Sequence, residues 1–265
     1  MKPGILLSVT ICCRLLFAVL GAVACQAQVL APGGTLRAVF LESNPVQGRI
    51  DSTTGAVSGP ANDLTRELGR QLGVPVSIQG VANAKAVIDA VKDHKADMGF
   101  LAFDPARAVD VDFSDVYALS WSSYLVPVDS PLHAVADVDA KKIRIGAAKN
   151  DSPQLYLSRN LKNAELNPYD APGEPDILRM LGTGEIDAWA ANRQRLNEIA
   201  ARRMDMRVLP DNFFAVRQAL VVPKGDKAGL ERLNRFLSEA RKSGLIQKSI
   251  DDAGLKGAVD MASAQ

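Results

Sequence analysis

Beyond its first 27 residues the chain contains no cysteine: Cys12, Cys13 and Cys25 all lie in that opening stretch. A disulfide, a thiolate nucleophile and a cysteine metal site are thereby excluded from the remainder. Histidine is nearly as scarce. His94 and His133 stand alone on expected loops, without the spacing of metal ligands. Neither a Walker loop nor a Ser/His/Asp order occurs, so the sequence offers no catalytic set, no metal site and no cofactor motif. Charge of one sign is lacking too. The 31 basic and 30 acidic residues leave a net charge of +1, which provides neither a basic field for nucleic acid nor an acidic tail. After the opening stretch no apolar run approaches the about 18 residues of a membrane-spanning helix, and no internal repeat or low-complexity tract occurs. The remainder is expected to be soluble or merely tethered.

What is present begins with a leader. Lys2 and Arg14 make a positive start, Leu15–Ala24 is apolar but too short to span a bilayer comfortably, and small residues continue through Ala27. Residues 1–27 therefore read as a secretory signal peptide, cleaved after Ala27 or, as the second choice, after Ala24. Ala22-Val-Ala-Cys25 also forms a weak lipobox. The usual leucine three residues before the cysteine is missing, which makes lipid anchoring at Cys25 the weaker reading. Removing the leader leaves 29 basic against 30 acidic residues and a net charge of −1. The expected location is the periplasm. The composition, 47% hydrophobic and 23% charged, is globular and suffices for one large or two medium domains.

Element signals alternate. Leu36–Leu41 reads as a strand, ended by the turn formers of Glu42–Gly48, and Asp51–Gly55 as a hairpin or turn. Ala61–Gly73 carries Leu64, Leu68 and Leu72 on one helical stripe with Gly73 as its stop. Val74–Gln79 is a strand, Asn83 caps a helix bearing Val87, Ile88 and Val91, and a buried strand runs to Phe103. This order predicts a parallel α/β sheet. It restarts with a strand at Ile143–Ala148, a helix opened by Asn150-Asp-Ser-Pro153 with Asp151 or Ser152 as cap, a short helix at Pro175–Leu181 and strands at Ile186–Ala191 and Met206–Leu209. Tyr124–Val128 reads as leaving the first lobe and Ala219–Pro223 as returning to it. Asp226 then caps a helix with Leu230, Leu233, Leu237 and Ala240 on one face. The expected division is lobe 1 over 28–126 and 220–265, and lobe 2 over 127–219. Two crossings make a hinge suited to closure about a ligand.

The most informative stretch is Leu101-Ala-Phe-Asp-Pro-Ala-Arg-Ala-Val-Asp-Val-Asp-Phe-Ser-Asp-Val-Tyr117. It places Arg107 just after a buried strand, where its planar fork of donors can face an anion in a cleft. The stretch resembles the "T-x-x-R-x-x-x-V-D-F-S-x-P-Y" segment of the family 3 periplasmic solute-binding proteins, the amino-acid receptors of ABC importers. Further segments resemble that family in the same order: Gly59–Gly73, Asp137–Gly146, Leu181-Gly-Thr-Gly-Glu-Ile-Asp-Ala188, Gln218–Gly225 and Ser243–Gln247. The resemblance covers nearly the whole chain after the leader. It implies an α/β fold, the two-lobed type II periplasmic-binding-protein fold, with two α/β lobes joined by a two-strand hinge.

It also implies a site. Arg107 matches the arginine that holds a ligand carboxylate. The two positions before it that share this task are Phe100 and Ala102, which lack hydroxyls but keep their backbone groups. Asp151-Ser152 occupies the place of a threonine at a helix start, where an N-terminus favours an anion. Asn192 stands where the family has an aspartate for the ligand's ammonium group. An asparagine cannot neutralise that charge, and an unpaired buried ammonium costs several kcal/mol. Either another acid serves, with Asp151 and Glu42 as candidates, or the ligand has no ammonium group. Glu42 and Asn44 lie at the right end of a strand. Phe100, Phe103, Trp121 and Trp189 are expected beside strand ends facing the cleft. Against these stand plainer readings: Asp151 and Ser152 as helix caps, Asn192 as a cap, both tryptophans as core, and Arg193, Arg195, Arg202, Arg203 and Arg207 as a solvated helix face or, less so, a permease contact.

The leading functional reading is a monomeric, non-enzymatic receptor that captures a small anionic or zwitterionic ligand and delivers it to an inner-membrane ABC permease. A secreted enzyme resembling cyclohexadienyl dehydratases, with a cleft carboxylate as proton donor, and a sensor that presents its ligand to a membrane protein are the alternatives.

Overall fold

The computed structural model describes residues 29–170 and 172–263; the signal peptide read over 1–27 and its Cys25 lie outside the described residues. The first lobe opens with β1 (Leu36–Leu41), whose side chains are buried almost throughout, as a strand covered on both faces requires. The hairpin expected near residues 51–55 joins β2 (Arg49–Ile50) to β3 (Val57–Ser58). Helix α1 (Pro60–Leu72) has proline in its first turn and stops at Gly73, where φ is 68°, a left-handed conformation that costs glycine nothing. Then come β4 (Val76–Val81), helix α2 (Ala84–Lys92) and β5 (Met98–Ala102). The Asn83 side-chain oxygen caps α2 by accepting the Ala86 N–H. Strands β4, β1 and β5 run parallel, as the alternation predicts. A short β6 (Val111–Phe113) follows.

The long strand β7 (Ala118–Pro127) leads to the second lobe. That lobe comprises β8 (Arg144–Ala148), α3 (Ser152–Asn160), β9 (Glu165–Tyr169), α4 (Glu174–Gly182), β10 (Ala188–Asn192), α5 (Arg193–Ala201) and β11 (Met206–Val208). A second long strand, β12 (Phe214–Pro223), returns to helices α6 (Lys227–Lys242) and α7 (Leu245–Asp252) and the short β13 (Val259–Met261). Strand β7 pairs with β13 up to Ser120 and with β10 from Ser122. Strand β12 pairs with β7 over Phe214–Gln218 and with β5 over Gln218–Val221. These two antiparallel strands are the connection between two α/β lobes. The change of partner on β7 falls at Trp121, ahead of the Tyr124–Val128 segment read as the exit. The strands β6, β9 and β13 are not among those expected from the sequence. β9 carries Pro168 in mid-strand and pairs only with β8, the edge position where proline is tolerated.

Each lobe buries apolar side chains on both faces of its sheet. In the first, Leu64 and Leu68 of α1 meet Phe236 and Leu237 of α6 on one face, while Val87 and Val91 of α2 cover the other. In the second, Leu157 of α3 covers one face, and Ile177 of α4 with Leu196 of α5 covers the other. Gly146 in β8 leaves the space that the indole of Trp189 fills: a Cβ there would sit 2.7 Å from the ring.

Candidate functional site

Arg107 is set by a local turn. The Asp104 carboxylate accepts the Ala106 N–H at 2.9 Å, and the Asp104 carbonyl accepts the Arg107 N–H at 3.0 Å. This starts a single 3₁₀ turn, Arg107–Val109, that throws the side chain back across the end of β5. The residue is 7% exposed. Nη1 donates to the Ala102 carbonyl at 2.9 Å and to Ser152 Oγ at 3.3 Å, and Nη2 donates to the Asn150 carbonyl at 2.6 Å. One first-lobe side chain thus reaches two residues of the second. Burial pulls the Arg107 pKa down, and the nearby Asp151 and Asp104 charges oppose that pull; an arginine stays protonated regardless.

The second lobe answers with the start of α3. Asn150 has φ 63°, a left-handed conformation that asparagine tolerates better than most residues, and its carbonyl is the one that Arg107 engages. Asp151 stands at the N-cap position, yet its side chain makes no capping hydrogen bond; the cap reading fails at the level of the side chain. Instead the carboxylate lines a cavity of about 50 Å³ between the lobes. Burial pushes its pKa up, opposed by the charges of Arg107 and Arg195. It is the single acid on that wall among the described residues.

Six residues singled out in the sequence meet in this cavity: Asn44, Ala102, Arg107, Asp151, Ser152 and Asn192. Asn192 also caps α5, its Oδ1 accepting the Gln194 N–H at 2.9 Å. Five others stand elsewhere. Phe100 is fully buried in the first-lobe core, edge-on to Tyr117. Trp189 is fully buried in the second-lobe core. Trp121 donates from Nε1 to Asp260 at 2.8 Å and is not on the cavity wall. Glu42 is exposed in a separate outer groove. Phe103 likewise is off the wall, with the Arg217 guanidinium 4.2 Å above its ring.

Sequence reasoning missed Ser43, Gln47, Gln218 and the inward aspect of Arg195. Gln47 and Gln218 form a buried relay: Gln218 Nε2 donates to Ser120 Oγ at 2.8 Å, Gln47 Nε2 to Gln218 Oε1 at 3.2 Å, and the Leu41 N–H to Gln47 Oε1 at 2.9 Å. It ties both connecting strands to the loop after β1. The available signal was a glutamine, Gln218, directly before the apolar run Ala219–Pro223. Two ion pairs also join the lobes, Asp104 with Arg159 and Arg49 with Glu198. No cluster of potential metal ligands occurs among the described residues.

The chain matches the bacterial extracellular solute-binding proteins, family 3, over residues 36–253. It is 31% identical to a probable histidine-binding protein of Neisseria gonorrhoeae over 54% of each chain, so the match spans about half the length of that relative. It is 21% identical to the amino-acid-binding protein AabA of Dichelobacter nodosus over 85% of this chain and 90% of that one. Among solved structures, a substrate-binding protein of an amino acid ABC transporter from Streptococcus pneumoniae, bound to L-arginine, superposes with a TM-score of 0.71 at 19% identity, covering 85% of this chain and 97% of that one. The architecture is that of the type II periplasmic binding proteins.

Proposed function

Because the chain belongs to the family 3 bacterial extracellular solute-binding proteins, we propose that it is the receptor of an ABC importer and that it captures a small carboxylate-bearing solute between its lobes. The observation that carries this reading is the buried Arg107, which spans the cleft from Ala102 to Ser152 and Asn150. A buried guanidinium makes its strongest hydrogen bonds to an anion. A carboxylate held jointly by Arg107 and the Ser152 hydroxyl would touch both lobes at once. Such a ligand favours the closed form by its differential contacts, which is what a closure mechanism requires. The relatives named for histidine and for amino acids support a ligand bearing a carboxylate.

The protein leaves the cytoplasm by its signal peptide, acts as a monomer in the periplasm and passes its ligand to an inner-membrane permease. Relatives named as binding proteins support binding over turnover. No helix among the described residues is long and apolar enough to cross a membrane.

Thermal-shift measurement with a panel of amino acids and simple organic acids tests the reading. A ligand bound only by the native state raises the melting temperature. Carboxylates are expected to do so in the wild type and not in Arg107→Gln. Binding of uncharged solutes alone, or carboxylate binding unaffected by Arg107→Gln, overturns it.

A further inference from the structure

Five arginines cluster on and after α5, and four of them are committed. Arg193 donates to the carbonyls of Leu209 and Asp211. Arg202 pairs with Glu174, and Arg203 with Asp205. Arg207 donates to the carbonyls of Ser130 and Leu132. Arg195 is different. Its one hydrogen bond among the described residues is a long one, 3.4 Å, to the Pro172 carbonyl. No carboxylate lies within ion-pair distance of it among those residues: of the three acids in its outer groove, Glu174 and Glu198 pair with Arg202 and Arg49, and Glu42 is exposed and makes no ion pair among the described residues. Arg195 lines both that groove and the inner cavity.

The side chains around Arg195 are short of acceptors. Asn192 and Asn44 each accept one backbone N–H at the side-chain oxygen, from Gln194 and Val46, so each keeps two NH₂ donors against one remaining lone pair. The amide groups of Gln47 and Gln218 are engaged with each other and with their neighbours. Asp151 is the one wall side chain with unused carboxylate oxygens among the described residues. With Arg107 and Arg195 against Asp151, the wall carries a net charge of +1. Donors in excess and one uncompensated cation call for a ligand rich in acceptors that brings a net negative charge.

We propose that the cleft selects a small solute with two acidic groups, one held at Arg107 and Ser152 and the second at Arg195 and the Asn192 amide, and that Arg195 is the residue that sets this preference. The inference rests on the receptor reading above and adds the charge class of its ligand. Asp151, between the two cations, accepts a donor from the middle of the ligand, a hydroxyl or an ammonium group. A diacid gives each cation of the wall its own carboxylate; aspartate, at net −1, also cancels the wall's +1, succinate, at net −2, exceeds it by one, and a monoacid leaves Arg195 without a ligand carboxylate.

Isothermal titration of the mature protein with propionate, alanine, succinate and aspartate tests this. The expected result is that succinate or aspartate binds at least about tenfold more tightly than propionate and alanine, since a charge-assisted pair is worth about that much or more. Arg195→Gln should erase that margin, Arg195→Lys should keep part of it, and Arg107→Gln should weaken binding of all four by about tenfold or more. Circular dichroism and melting temperature check that each variant is folded. If propionate or alanine binds as tightly as the diacids, or Arg195→Gln keeps the margin, the two-acid inference is overturned while the receptor reading stands. If none of the four binds, the two-acid inference is overturned, and the wider carboxylate panel then decides the receptor reading on its own.

Discussion

Asp104 of the first lobe accepts two parallel hydrogen bonds, each 2.9 Å, from the guanidinium of Arg159 in the second. The same carboxylate accepts the Ala106 N–H and so builds the turn that aims Arg107. One acid therefore serves both the closed arrangement of the lobes and the placement of the anion-facing arginine. Because the Arg159 end is open to water, the pair biases closure only modestly. Asp104→Asn is expected to shift the ligand-free protein toward an open form by a few-fold. Small-angle scattering should show a larger radius of gyration than in the wild type, and saturating ligand should remove the difference. An unchanged radius would deny Asp104 a part in closure.

Acid should act on the same residue. Burial pushes the Asp104 carboxyl up, but hydrogen bonds from Arg159 and the Ala106 N–H, with the charges of Arg159 and Arg107, outweigh it and hold the pKa below the ordinary value of 3.8. A depressed carboxyl contributes stability that is fully present above its unfolded pKa and is lost as pH falls through the folded one. The wild type should therefore lose more stability than Asp104→Asn below about pH 4, and the two should run parallel above it. Urea titrations at stepped pH measure the difference.

Asp151 should behave in the opposite sense. Burial raises its carboxyl against the pull of Arg107 and Arg195. Holding it ionised then costs the ligand-free fold stability at neutral pH, and that cost fades as pH falls through the raised pKa. Asp151→Asn is expected to melt higher than the wild type at pH 7, with the gap closing on acidification. Melting curves from pH 7 down to the carboxylate range decide this, and a lower melting temperature at pH 7 would contradict it.

Loss of Arg107 should remove binding without unfolding the protein. Its guanidinium bonds are to groups lining the cleft and not to the apolar cores. Arg107→Gln should weaken carboxylate binding by about tenfold to a hundredfold or more, with a far-UV spectrum like that of the wild type. Calorimetry on the two proteins checks it.

Packing in the second lobe turns on a missing side chain. A Cβ at Gly146 would lie 2.6 Å from the Ile186 methyl group and 2.7 Å from the Trp189 ring. Gly146→Ala overpacks that core and is expected to cost about 1–3 kcal/mol. Denaturant unfolding followed by Trp189 fluorescence should show an earlier midpoint.

The sequence alone determined the order of most elements, the two-lobed fold and the place of Arg107. Those depend on short-range facts: the stripe of Leu64, Leu68 and Leu72, the stop at Gly73, the cap at Asn83, and the turn residues around Asp104. What it left open depends on which way a side chain turns once the layers pack. Phe100 and Trp189 flank the expected cleft in sequence, but both lie on faces of their strands that helices or a facing glycine cover. Asp151 reads as either a cap or a ligand-facing acid, and it makes no capping bond and lines the cavity, while Asn192 both caps its helix and lines the cavity. Arg195 is one of five similar arginines in the sequence. Only the folded neighbourhood, where carbonyls and carboxylates from distant segments occupy the other four, leaves its charge for the cleft. Hydrogen-bond saturation is a property of the whole tertiary structure, since the partners that use up a donor arrive from segments far along the chain.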